Sequence, residues 1–162
     1  MKNGYALPSK SGLEEISKRL KDSSESEVDR LRSSLRIGIQ WNTQVTLNGA
    51  SHRVSQAYCS ALPVAYSNHP SSLWMDFAKL ILEASYGATI CAAIVNSEKT
   101  GNNKVFFTLL GGGVFGHETD WISGAILRAL ILYKNANLDV TIVSYESSKP
   151  CVQQLINEYL RR

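Results

Sequence analysis

"VFFTLLGGGVFGHETDWISGAI", Val105 to Ile126, decides how the second half of this chain folds. An apolar run, Val105 to Leu110, leads into four glycines within six residues (Gly111, Gly112, Gly113 and Gly116), and helical spacing follows. An unbroken Val/Phe/Leu run suits a central strand covered on both faces, which favours parallel pairing. Glycines beyond such a strand admit positive φ and let a ligand approach the main chain. Successive N–H groups there form a concave nest, and the next helix adds its positive end. Phosphate or pyrophosphate is the natural guest, and the carboxyl end of a strand is where open α/β folds bind ligands. The plainer reading is a tight strand-to-helix turn whose glycines serve packing alone.

Working outward, a helix is expected from about Thr119 to Tyr133, a turn at "NANLD" and a second apolar strand from Val140 to Tyr145. Pro150 fits the first position of a terminal helix with Val152, Leu155, Ile156, Tyr159 and Leu160 on one face. Strand, helix, strand makes a βαβ unit, so the class is α/β. Upstream, Leu73, Phe77, Leu80, Ile81, Ala84 and Ala88 recur at helical spacing after a cap at Ser71 or Ser72, and "NSEKTGNN" reads as a surface turn. Residues 1–35 read as two short helices: one with a capping box of Ser11 and Glu14 ahead of Leu13, Ile16 and Leu20, the other started by Ser26 with Asp29. Period two then takes over. Ile37, Ile39 and Trp41 share a face continued by Val45 and Leu47, Asn48-Gly49 turns, and "HRVSQAYCSALPVAY" returns until Pro63.

At 162 residues the chain is expected to be one domain, a helical segment over 1–35 and an α/β core over 36–162. The net charge of +3 is spread among interleaved acids, which argues against nucleic acid as a partner. No apolar run reaches membrane-spanning length without a polar break, and no signal-peptide core opens the chain. Cys59, Cys91 and Cys151 are odd in number and show no metal-ligand spacing, as in a cytoplasmic protein with reduced thiols. Neither a metal nor a cofactor is expected.

Two nucleotide loops are excluded by residue type. Gly111, Gly113 and Gly116 satisfy G-x-G-x-x-G, but a dinucleotide fold needs an acid at the end of the next strand, about 20 residues on. Asp139 precedes that strand, and Glu146 comes too late. A Walker A loop requires Gly-Lys-Ser/Thr where this chain has "GHE".

The segment "KVFFTLLGGGVFGHETDWISGAILRALILYKNANLDVTIVSY" resembles the C-terminal strand, glycine–aromatic–glycine loop, helix and strand of the macrodomain, the ADP-ribose-binding module. "FAKLILEASYGATICAAI" is similar to the helix leading into that strand, "NGYALPSK" to the stretch after the first binding loop, and "RVSQAYCSALPVAYS" stands in the place of the next strand. Together they resemble divergent effector-type macrodomains that remove ADP-ribose from modified proteins. The resemblance implies a mixed sheet flanked by helices, in a three-layer α/β/α domain that is incomplete here. It implies that the site comprises Gly111, Gly112, Gly113, Val114, Phe115, Gly116 and His117, with residues 112–116 wrapping the diphosphate and Phe115 against the distal ribose. The implied partner is ADP-ribose or an ADP-ribosylated protein. Residues 1–35 supply neither the asparagine-bearing loop nor the adenine-reading acid of a full macrodomain. A second chain or segment completing the pocket is therefore a further expectation, and it calls for an exposed apolar sheet edge near the N-terminus.

Catalytic residues are not assigned. His117, Glu118 and Asp120 follow the loop, and acids in a first helical turn commonly serve the helix dipole. Asn42 and Gln44 are amides where a hydrolase uses carboxylates, and amides cannot act as general bases. Cys59 and Ser60, with His52 and His69 nearby in sequence, fit a core thiol better than a nucleophile and base. Trp41, Trp74 and Trp121 read as core anchors. The competing functional reading is a noncatalytic interaction or scaffolding domain with a structural glycine loop. The two differ in one respect: a ligand loop leaves its amides open, a structural loop satisfies them internally.

Overall fold

A computed structural model describes residues 3–145 and 147–162; Glu146 lies outside the described residues. The fold is α/β, as expected. Its elements in order are α1 (Lys10–Asp22), α2 (Glu25–Ser34), β1 (Gly38–Gln44), β2 (Arg53–Tyr58), α3 (Ser71–Thr100), β3 (Lys104–Thr108), α4 (Thr119–Leu132), β4 (Asp139–Val143) and α5 (Pro150–Leu160). The strands form two separate pairs, antiparallel β1–β2 and parallel β3–β4.

The helix starts differ from the sequence reading. Ser9, extended after Pro8, caps α1 by accepting the Gly12 N–H at 3.1 Å, so Ser11 already lies inside the helix. The capping box of α2 is Ser24 with Glu27, three residues apart as reciprocal capping requires, and not Ser26 with Asp29. α3 starts after Pro70 with no side-chain cap and runs to Thr100, absorbing most of "NSEKTGNN". Gly101 stops it in the left-handed conformation at φ 74°.

Helix α3 organises the core. α1, α2 and α4 pack against it, and α5 packs on α4. Leu13, Trp74, Ala78, Leu82 and Ile126 are wholly buried in that layer. The Trp74 indole N–H finds its acceptor in Ser67 Oγ at 2.9 Å, so the ring is buried without an orphaned donor. By length and apolarity α3 could also cross a bilayer; here it carries the helical layer. Arg32 pairs with Glu25 and Asp29 of its own helix α2 and with Glu83 of α3, while Arg128 of α4 reaches Asp29 at 2.6 Å, so the cluster joins three helices.

The β3–β4 ladder pairs Lys104 with Asp139 through Thr108 with Val143. Val105 and Phe107 are buried, but Phe106 between them is 65% exposed. The parallel pairing holds; the expected covering of both faces does not, because the strand alternates and its inward residues alone join the core cluster with α3 and α4. In the hairpin, Asn48 and Gly49 take left-handed φ of 51° and 71° in a short 3-10 turn, leaving Leu47 outside the strand and 74% exposed. The register of β1 against β2 shifts between Gln40 and Thr43, with Asn42 at φ 54° in the bulge. Trp41 beside it is 44% exposed under the Lys99 ammonium, 5.5 Å from its ring, and so is no core anchor.

β2 and β3 run in the same direction, both opposite to α3. At one end Ser55 Oγ donates to Asn96 Oδ1, and Asn96 Nδ2 donates to the Asn102 carbonyl. At the other, Cys59 lies against Ser85 and Thr89, and the Tyr86 hydroxyl reaches Thr108. β2, α3 and β3 thus form a βαβ unit whose two strands are not hydrogen-bonded to each other.

Candidate functional site

The glycine loop leaves the carboxyl end of β3 and has a base and a tip with different properties. At the base, Gly111 sits at φ 83°, and a Cβ there would lie 2.7 Å from Ala61 Cβ and 2.8 Å from His117 Cγ. Gly116 sits at φ 71°, and a Cβ there would come within 2.8 Å of Ala65 Cβ. Both glycines answer to conformation and space together. The backbone closes on itself here: Gly112 N–H donates to Leu109 O, Gly116 N–H to Gly113 O, and His117 N–H to Gly111 O. The loop is also stitched to the preceding turn by the Ala65 N–H, which donates to Phe115 O at 3.0 Å.

His117 completes the base. Its ring is buried, and its Nε2 lies 2.7 Å from the Leu62 carbonyl. A carbonyl only accepts, so Nε2 carries the proton and Nδ1, which has no partner among the described residues, is the bare nitrogen. Burial pushes the His117 pKa down, against a smaller upward pull from the Leu62 carbonyl, and keeps the ring neutral. The ring meets Trp121 edge-on with centroids 5.9 Å apart. Trp121 is buried, so this tryptophan is a core anchor beside the loop. The ring of His117 therefore points inward, away from the exposed side of the loop.

The tip is open. The N–H groups of Gly113, Val114 and Phe115 have no acceptor among the described residues, and Gly113 and Val114 are exposed. A Cβ on Gly113 would meet nothing within 4 Å. Phe115 forms a cluster with Tyr5 and Tyr66, with ring centroids 5.1 to 6.2 Å apart and edge-to-face geometry. The sequence reading singled out Phe115 alone; Tyr5 and Tyr66, each partly exposed, come from distant segments and carried no periodic signal. Glu118 and Asp120 are exposed at the start of α4.

The other sequence candidates stay apart. The Asn42 carbonyl accepts from Arg53 and its N–H donates to Ser55 Oγ, so its backbone serves the bulge. Gln44 is exposed at the end of β1. Burial pushes the Cys59 thiol pKa up, which keeps it protonated and a poor nucleophile. Among the described residues no three His, Cys, Asp or Glu side chains are grouped to hold a metal.

A second feature escaped the sequence altogether. A groove of about 890 Å³ separates β2 from β3, with α3 as its floor. Tyr86 of α3 stands at one end, its hydroxyl donating to Thr108 O at 2.8 Å and accepting from Leu110 N–H at 2.9 Å. Burial drives its phenol pKa far up, so it remains a neutral donor and acceptor. Comparisons with protein-family models, curated proteins and solved structures returned no match.

Proposed function

We propose that this chain binds ADP-ribose, free or attached to a modified protein, in the manner of a macrodomain, with the tip of the glycine loop as its diphosphate site. The observation that carries this reading is the run of three consecutive N–H groups, Gly113 to Phe115, left without internal acceptors beside a well-braced base. Backbone amides in succession suit an oxyanion, and the α4 N-terminus adds its partial positive charge. The Tyr5, Tyr66 and Phe115 rings offer an apolar surface beside those amides for a ribose or adenine. The base then acts as a mount that holds the tip in shape, which reduces the ordering cost of binding.

Binding is the core of the proposal; removal of ADP-ribose from protein would need a carboxylate to activate water, and Glu118 and Asp120 are the acids nearest the loop in sequence. The competing reading, a noncatalytic interaction domain, draws support from the base, where glycine is explained by packing and closed hydrogen bonds. Calorimetric titration separates the two. ADP-ribose is expected to bind at micromolar concentration, with AMP and NAD weaker, and Gly113→Glu is expected to abolish binding while leaving the fold intact, since the position is open. Absence of heat from the folded chain would favour the scaffold.

A further inference from the structure

The groove between β2 and β3 has the form of a sheet with one strand missing. In a strand the N–H and C=O of one residue face the same neighbour, and successive residues alternate. The Asn103 carbonyl accepts from Asp139 N–H, so the odd residues of β3 face β4. The even residues, Lys104, Phe106 and Thr108, therefore face the groove. On the other wall, His52 O accepts from Val45 N–H, which turns the even residues of β2 toward β1 and Arg53, Ser55 and Ala57 toward the groove. Each wall thus turns one row of main-chain groups to the same space, and the two strands do not pair with each other across it.

Tyr86 marks what belongs there. Its hydroxyl donates to Thr108 O and accepts from Leu110 N–H, which also turns back onto Thr108 O at 3.0 Å, so where β3 ends the groove-facing edge takes its partner from outside the strand. One side chain satisfies the groove-facing edge at that end, Asn102 Oδ1 takes the Lys104 N–H at 3.1 Å at the other, and Phe106 between them is left without a partner among the described residues. The floor below is small, formed by Thr89, Ala92 and Ala93. The charge of the lining is one-sided: Arg53 and Lys104 line it, and among the described residues no carboxylate does. Arg53 and Lys104 open their strands at the same end of α3, opposite Tyr86.

We infer that this groove receives an extended acidic segment of a partner polypeptide, which enters as a central strand, bonds to β2 on one side and β3 on the other, and places its carboxylates at the Arg53–Lys104 end. The interaction is strand addition, in which main-chain bonds give affinity and alternate side chains give selectivity. β3 spans about 17 Å at strand rise, so five or six residues of the partner fill the groove. The insertion joins the two strand pairs into one sheet of five and removes two open edges at once. It is independent of the ADP-ribose reading, because it uses none of residues 111–117.

The test uses the whole chain and capped peptides of about eight residues alternating valine and threonine, with a glutamate pair at one end or the other, and lysine versions as controls. Amide exchange on the free chain comes first: Phe106 and Thr108 are expected to exchange at least about tenfold faster than Val105 and Phe107. A glutamate peptide is then expected to slow Phe106, Thr108, Ser55 and Ala57 together, and to bind about tenfold more tightly than its lysine counterpart at low salt. Ala92→Phe fills the floor and abolishes binding; the exposed pair R53E/K104E, which leaves the core untouched, reverses the charge preference. Gly113→Glu leaves peptide binding unchanged. Equal protection of odd and even β3 amides in the free chain overturns the inference. So does failure of both glutamate peptides to bind the folded chain, or protection that appears elsewhere or only through self-association.

Discussion

On the helical side of the strands, Leu13, Trp74, Ala78 and Leu82 are completely out of water. On the strand side, Phe106 keeps 65% of its surface exposed, and every residue of β2 is exposed. The same contrast recurs within the glycine loop, where a crowded base carries an open tip. One side of this molecule is finished by its own side chains, and the other presents main chain. Burial explains why the first side folds; unspent hydrogen-bonding capacity on the second is where binding is to be sought.

The sharpest way to break the contrast is to hollow the finished side. Trp74→Ala removes a wholly buried ring and the partner of Ser67, and is expected to cost about 3–5 kcal/mol in denaturant unfolding. Gly111→Ala forces a Cβ into Ala61 and His117 at a left-handed position, for an expected loss of roughly 2–4 kcal/mol by the same measurement. Arg32→Ala strands Glu83, whose side chain is only 18% exposed, and is expected to cost about 1.5–3 kcal/mol.

A smaller effect follows from His117. Its pKa is lowered in the fold, so the unfolded chain binds the proton more readily, and the stability due to the neutral ring is complete above the ordinary histidine range. It is lost as pH falls below about 6.5, with a slope of at most about 1.4 kcal/mol per pH unit. His117→Gln, which can still donate to Leu62 O, is expected to flatten that slope in unfolding measured from pH 7 down to 5. Smallest of all, Gly113→Ala on the open tip is expected to shift stability by no more than about 0.5 kcal/mol. A large loss there would erase the distinction between base and tip.

Much of the architecture was legible because it rests on local chemistry. Pro150 opened α5, Asn48-Gly49 turned the hairpin, and the Val105 run paired in parallel with the strand around Val140. Helix starts were displaced because several serines competed, and only placement of the first turn decides among Ser9, Ser11, Ser24 and Ser26. The exposure of Phe106 was hidden because an apolar run does not reveal which of its faces a helix covers. At the loop, glycine content was plain, but the division into base and tip depends on Ala61, Ala65 and Leu62, which are remote in sequence. The groove depends on where β2 lies relative to β3 and has no signature at all beyond Tyr86, a lone polar-tipped ring amid the small residues of "EASYGAT".

The measurement that tests the central claim most directly is an amide-resolved titration of the 15N-labelled chain with ADP-ribose. The Gly113, Val114 and Phe115 amide signals are expected to move together and saturably, while Gly112, Gly116 and His117, already bonded within the loop, move little. Unchanged signals at the tip of a folded chain, or shifts centred elsewhere, would contradict that claim.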